Sequence, residues 1–175
     1  MSTTLQQVPA GTYAIDPVHS TAGFAIKHNG ISTFRTRFAD FDAALVDGVL
    51  TGSVQVASVD IAEENFKGHL LSEEFFNTAV TPTVTFRSTD IRIDDSGAVE
   101  IAGRLTIKGI TKDVVARGEA AVGAGLGGDE RVAFDLETTL DRRDYGLNWQ
   151  MATPSGADAA AWDVKLEVHV ELVKA

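Results

Sequence analysis

The sequence contains no cysteine. Disulfide staples, thiolate nucleophiles and thiolate metal sites are therefore excluded. Positive charge is also in short supply: 25 Asp and Glu stand against 15 Lys and Arg, a net charge of −10 at pH 7. Nucleic-acid binding needs basic side chains clustered against phosphate, and this balance argues against it. It argues equally against general adhesion to anionic membranes. Solubility is the plain consequence of such acidity. No apolar run approaches the ~20 residues that cross a bilayer as a helix, so no membrane-spanning segment is expected. The opening MSTTLQQVPAG has neither the basic stretch nor the apolar core of a secretory signal, which makes a cytoplasmic setting the default expectation.

Catalytic signatures are missing too. No GxSxG elbow accompanies the serines. The glycine-rich Gly123–Gly128 stretch lacks a following Lys-Ser/Thr and a helical pattern, so it is no phosphate cradle. His19, His28 and His69 form no HxH or HExxH pair, and a zinc site needs three or four converging ligands. Hydrogen-bonded structural or ligand-headgroup roles suit them better than metal. Carboxylates are plentiful, but Asp94, Asp95, Asp135, Glu137, Glu167 and Glu171 fall in turns or on wet strand faces. The surroundings of Asp16 and Asp60 are less obvious.

What the chain does have is period-two alternation. Trp162, Val164, Leu166, Val168, Val170 and Leu172 share one face, and Asp163, Lys165, Glu167, His169 and Glu171 the other. That is a strand with one buried and one wet face, as in an antiparallel sheet. Val132–Leu140, Val99–Ile107 and Ala22–His28 repeat it. Thr12–Ile15, Val49–Ile61, Thr83–Ile93 and Thr111–Val122 also read as strands. The last of these carries small inward residues, which implies a close neighbour. Phe34–Val46 is long and loses its alternation midway, the mark of a bulge or bend. Asp47-Gly48, Ser96-Gly97 and Lys108-Gly109 are turn signals between strands. Only Glu63–Asn77 breaks the rhythm: Phe66, Leu70, Leu71 and Phe75 recur at helical spacing behind acidic opening residues.

Many short strands with regular turns point to a sandwich or barrel, and a barrel is favoured because closure removes exposed sheet edges. The length suits one domain, 1–175, with 1–11 as a flexible N-terminal segment. The aromatics are spread over nearly every element. They fit a packed core or the wall of a tunnel, and alternation alone puts them inside in both cases.

Five motifs in order resemble the YceI-like, polyisoprenoid-binding family. They are Tyr13-Ala-Ile-Asp16-Pro-Val-His19-Ser20 with Phe24 and His28; Gly68-His69-Leu70 with Phe75-Phe76-Asn77; Pro82-Thr-Val-Thr-Phe86-Arg-Ser88; Gly103-Arg-Leu-Thr-Ile-Lys-Gly109-Ile-Thr111-Lys; and Arg142-Arg-Asp144-Tyr145-Gly146. The resemblance implies an all-β fold, a lipocalin-like up-and-down antiparallel β-barrel with one packed α-helix. It implies an apolar tunnel holding a polyisoprenoid, an isoprenoid quinone or a similar long lipid, no catalytic cofactor, and a homodimer. Combined with alternation, it makes His19, His28 and Arg142 candidates for the ligand's polar head. Phe24, Ile26, Phe38, Phe86, Leu105, Phe134 and Trp149 are candidates for its tail. Leu70, Phe75 and Phe76, with His69 beside them, are candidates for a cap. The expected function is lipid carriage or sequestration without chemistry. The competing readings are an enzyme using His28 or His19 with a carboxylate inside the cavity, and an interaction or stress protein with a filled barrel.

Overall fold

A computed structural model describes residues 7–175. Ten strands form one antiparallel sheet: β1 Thr12–Ile15, β2 Thr21–His28, β3 Ser32–Arg37, β4 Phe41–Val46, β5 Val49–Gln55, β6 Thr83–Ile93, β7 Ala98–Ile107, β8 Ile110–Ala124, β9 Glu130–Asp141 and β10 Ala160–Lys174. One α-helix, α1 Glu64–Leu71, lies between β5 and β6. The first part of the expected N-terminal segment lies outside the described residues. Within the rest of it, Val8 packs against the core and the Gly11 N–H donates to Asp47 Oδ1.

Eight strands close into a barrel in the order β1, β4, β5, β6, β7, β8, β9, β10, with β10 returning to β1. The β2–β3 hairpin extends the wall from β10. The fork arises because β10 is long and has two successive partners on one edge. Its C-terminal end pairs with β1 (Ile15 opposite Leu172), and its earlier part pairs with β2 (Thr21 opposite His169). Pro17, which has no N–H to donate, interrupts the strand between them. Asp16 caps the resulting 3-10 turn, its carboxylate accepting from the Val18 N–H.

The expected bend in Phe34–Val46 is present: β3 and β4 are separate strands joined through Phe38–Asp40. β4 continues the barrel beside β1 and β5. β3 pairs with β2 and ends the sheet order, so its other edge has no neighbouring strand. Asp47-Gly48 and Lys108-Gly109 turn with both residues at positive φ, and Gly97 does the same singly. The close neighbour expected along Thr111–Val122 is β9. A Cβ on Gly118 would lie 1.7 Å from the Asp135 carbonyl oxygen.

The helix is shorter than the Glu63–Asn77 spacing predicts. Its start is as expected, with the Glu63 carboxylate capping the Asn65 and Phe66 N–H groups. It stops at Leu71 because the Ser72 N–H and hydroxyl both donate to the His69 carbonyl. Side-chain competition of this kind ends helices. Phe75 and Phe76 therefore sit in the turns that follow.

Three hydrophobic clusters fill the interior unevenly. Tyr13, Leu45, Ile101, Val132, Phe134 and Leu172 pack one end of the barrel solid, each at most 1% exposed. Phe38, Val56, Val59, Leu70 and Phe75 form a second cluster beneath α1, and Leu105, Ile107, Leu140, Tyr145 and Leu147 a third beside it.

Candidate functional site

Between the packed end and the two clusters at the helix end lies a cavity of about 230 Å³. Alternation supplies its walls. Phe24 and Ile26 project from β2, Val84 and Phe86 from β6, Leu105 and Ile107 from β7, Val114 and Ala116 from β8, Leu136 and Leu140 from β9, and Val164, Leu166 and Val168 from β10. Leu70, Phe75 and Phe76 cover the helix end, and Phe38 sits where β3 breaks. Gly103 is what lets Phe86 lie across the wall: a Cβ there would meet the Phe86 ring at 2.4 Å. Asp42 and Glu137 border the cavity through strands on which they are exposed. Glu137 pairs outside with Lys165 at 3.3 Å. The interior surface is therefore almost wholly apolar.

Arg142 is the charged exception. It is 2% exposed and borders the cavity. Its Nε donates to the Ala161 carbonyl, Nη1 to the carbonyls of Leu147 and Trp149, and Nη2 to that of Ala160. The indole of Trp162 lies 4.3 Å from the guanidinium carbon. A guanidinium has five N–H donors, so four such bonds leave at most one for anything else. Burial pushes its pKa down, while Asp141 and Asp158 push it back up. The residue acts first as a clamp, tying the 147–149 segment to the start of β10. Next to it, the Tyr145 hydroxyl is buried without a partner among the described residues, and burial raises its pKa.

Nine of the residues expected at the ligand border the cavity: Phe24, Ile26, Phe38, Leu70, Phe75, Phe76, Phe86, Leu105 and Arg142. Five do not. Phe134 faces inward as its alternation requires, but at the filled end, where it is completely buried. Trp149 packs behind the cap, its ring 5.4 Å from that of Phe75. His69 stands beside it, 5.0 Å from the Trp149 ring, with Nε2 hydrogen-bonded to Glu74. His28 is exposed at the end of β2. His19 is at the packed end, its side chain 61% exposed, donating from Nδ1 to Asp16 Oδ2 at 2.8 Å.

The Asp16 surroundings are resolved by the same network. Arg131 Nη1 donates to Asp16 Oδ2 at 2.8 Å and to Glu171, while its Nε meets Asp129. The hydrogen bonds from His19 and Arg131 lower the Asp16 pKa to about 2, and Asp16 in turn raises that of His19. This network is outside the barrel. No His-carboxylate pair converges in the cavity, so the geometry that the enzymatic reading requires is missing among the described residues. Nor do the described residues contain a group of three or more His, Asp or Glu placed to hold a metal ion.

Sequence reasoning missed Val84, Ile107, Val114, Leu140, Leu147, Val164 and Leu166. The alternation of all but Leu147, which lies in the irregular segment before β10, was visible. Their depth along the barrel axis was not, because it depends on strand stagger.

The YceI-like domain profile matches residues 13–172, nearly the whole described chain. The chain belongs to the YceI-like family. It is 31% identical to a UPF0312 protein of Shewanella denitrificans over 178 residues, covering 95% of this chain and 90% of that one. A UPF0312 protein of Pseudomonas aeruginosa is also 31% identical, over 98% of this chain and 91% of its own. Among solved structures, a Campylobacter jejuni YceI protein aligns with a TM-score of 0.72 at 26% identity, covering 85% of this chain and 90% of that one. A polyisoprenoid binding domain from Saccharophagus degradans, implicated in plant cell wall breakdown, aligns with a TM-score of 0.71 over 93% of this chain and 98% of its own. At 14% identity that likeness shows the fold alone. The YceI-like barrel, with one α-helix among the described residues, is thus the architecture of this chain.

Proposed function

We propose that this YceI-like protein binds a long apolar lipid, of polyisoprenoid or isoprenoid-quinone type, in the cavity and carries or sequesters it without chemical change. The observation that carries the reading is the cavity itself: about 230 Å³ walled by Phe, Leu, Ile and Val, with no carboxylate or imidazole aimed into it. An apolar chain transferred there gains about 0.8 kcal/mol per methylene. Some ten buried carbons amount to about 8 kcal/mol, the scale of a micromolar Kd, before the cost of ordering the chain. Membership of the YceI-like family supports the same ligand class, and the polyisoprenoid binding domain shares the fold. Arg142, with at most one N–H left, is the buried charged residue that borders the apolar wall, and it would meet a carbonyl or hydroxyl at the head of the chain.

Organic extraction of the purified protein followed by mass spectrometry is the direct test, paired with titration of a polyprenol or quinone. Trp149 fluorescence reports the titration, because its ring rests on the Phe75 cap. A co-purifying isoprenoid or saturable quenching is expected. An empty extract together with no response to either added lipid defeats the proposal.

A further inference from the structure

The net charge of −10 conceals a segment of the opposite sign. Residues 17–39 contain three cations, Lys27, Arg35 and Arg37, and no Asp or Glu. They fold as β2 and β3, with Ala25 opposite Arg35, Gly23 opposite Arg37 and Lys27 opposite Thr33. Alternation places all three cations on the outer face, away from Phe24 and Ile26 in the cavity wall, and all three are exposed. Arg37 has one carboxylate neighbour, Asp60, at 3.8 Å. Lys27 and Arg35 form no ion pair among the described residues. Carboxylates lie on the outer face of the neighbouring β8–β10, at Glu119, Asp135, Glu137 and Glu167, the last of them opposite Gly23.

The hairpin also has an apolar tip and an apolar flank. Asn29 and Gly30 turn at positive φ and deliver Ile31 to solvent, 81% exposed. On the flank, rings run in sequence from the cavity wall to the surface: Phe38 to Phe24 at 5.8 Å, Phe24 to Phe34 at 6.3 Å, and Phe34 to Phe66 at 5.6 Å. Phe66, on α1, is 42% exposed. This seam joins β3, whose outer edge has no strand beside it, to α1 by side chains rather than by a strand ladder. On the helix itself, the Glu63 carboxylate is engaged with the N-terminal N–H groups.

We propose that the β2–β3 hairpin docks the protein on an anionic phospholipid bilayer, with Lys27, Arg35 and Arg37 against the headgroups and Ile31 inserted between them. Charge complementarity selects this occupant: a hairpin with three exposed cations, no carboxylate of its own and an apolar tip fits a negatively charged lipid surface. The Phe34–Phe66 seam lies on the inner face of the same hairpin, with Phe34 opposite Ile26, and links the docked strands to the cavity wall. The proposal deepens the lipid-binding reading, on which the role of the seam rests, while docking itself is measurable independently.

Flotation of the full chain with vesicles tests it. Vesicles of phosphatidylcholine alone are compared with an equal mixture of phosphatidylcholine and phosphatidylglycerol. The protein is expected to float only with the anionic vesicles, and to be released in about 1 M salt, where the Debye length is ~3 Å. Each basic residue at an anionic surface changes partitioning about fivefold. K27A/R35A should therefore bind about thirtyfold more weakly, and I31D should weaken binding further. R92A, which removes an exposed cation near the packed end, should float like the parent. Unchanged thermal melts show that the variants fold. Failure of the parent to float, equal flotation by K27A/R35A, or an equal loss in R92A overturns the proposal. Extracting lipid from the same preparations keeps the two readings apart: lipid-loaded protein that does not float defeats docking alone, and floating protein that neither carries nor binds lipid defeats the cavity reading alone.

Discussion

The two ends of the barrel are built from the same alternating strands and end up differently. At one end Tyr13, Leu45, Ile101, Val132, Phe134 and Leu172 meet across the interior and exclude solvent completely. Here β10 pairs with β1, and the wall is a continuous ladder. At the other end β10 pairs with β2, the outer edge of β3 has no strand beside it, and α1 with Phe75 and Phe76 must cover the opening. The inward side chains there do not meet, and a cavity is left. An inward apolar residue is therefore core or lining according to how close the opposite wall comes.

Substitutions can break this comparison. Phe134→Ala at the packed end should destabilise by about 3–5 kcal/mol, because a closed site cannot collapse around the lost ring. Phe24→Ala, facing an existing cavity, should cost less than half as much. Equilibrium denaturation of both checks this, and equal losses would show that the helix end is as tightly packed as the other.

The reverse experiment fills space. Val132→Trp overpacks a full site and should cost about 1–3 kcal/mol or more. Val114→Trp projects into the cavity, so it should leave stability nearly unchanged and abolish uptake of an added polyprenol. Denaturation and lipid titration on the same two variants read out both effects.

A smaller difference concerns pH. The packed end carries the Asp16–His19–Arg131 network. Asp16 has a folded pKa of about 2 against an ordinary 3.8, so its contribution is complete above 3.8 and is lost as pH falls through 2. The His19 pKa is raised above 6.5, so its contribution is present below 6.5 and fades as pH rises through the folded value. Asp16→Asn should lie below the parent in stability at neutral pH and converge with it in acid. His19→Gln should flatten the decline on the alkaline side. Denaturation midpoints across pH measure both, and parallel curves would contradict the network.

The smallest effect is expected at Tyr145. An unsatisfied buried hydroxyl is costly, so Tyr145→Phe should be neutral or stabilising by about 1 kcal/mol in lipid-free protein. A clear loss of stability, measured by thermal and chemical unfolding, would reveal a partner for the hydroxyl.

Much of this fold was legible in the chain because one strand face is wet. The Lys165, Glu167, His169 and Glu171 series leaves a single choice of inner face for β10, and a register slip of one residue would bury all four. The break in Phe34–Val46 was legible for the same reason, as a lapse in alternation. The helix end was not, because Ser72 competes for the His69 carbonyl through a side-chain bond that periodicity does not register. The histidines misled for a related reason. His28 lies at the end of an apolar face, but that face runs past the barrel rim before reaching it. His19 is held outside by Asp16, three residues earlier in the chain.

The amino-acid sequence by itself determined which residues turn inward, since each strand has two faces and only one is apolar. It also determined the acid-free stretch from Pro17 to Ala39. Which inward residues pack and which border a cavity was decided only in the tertiary structure. That choice depends on the distance between walls that are remote in sequence, and the fork in β10 and the unpaired edge of β3 set that distance.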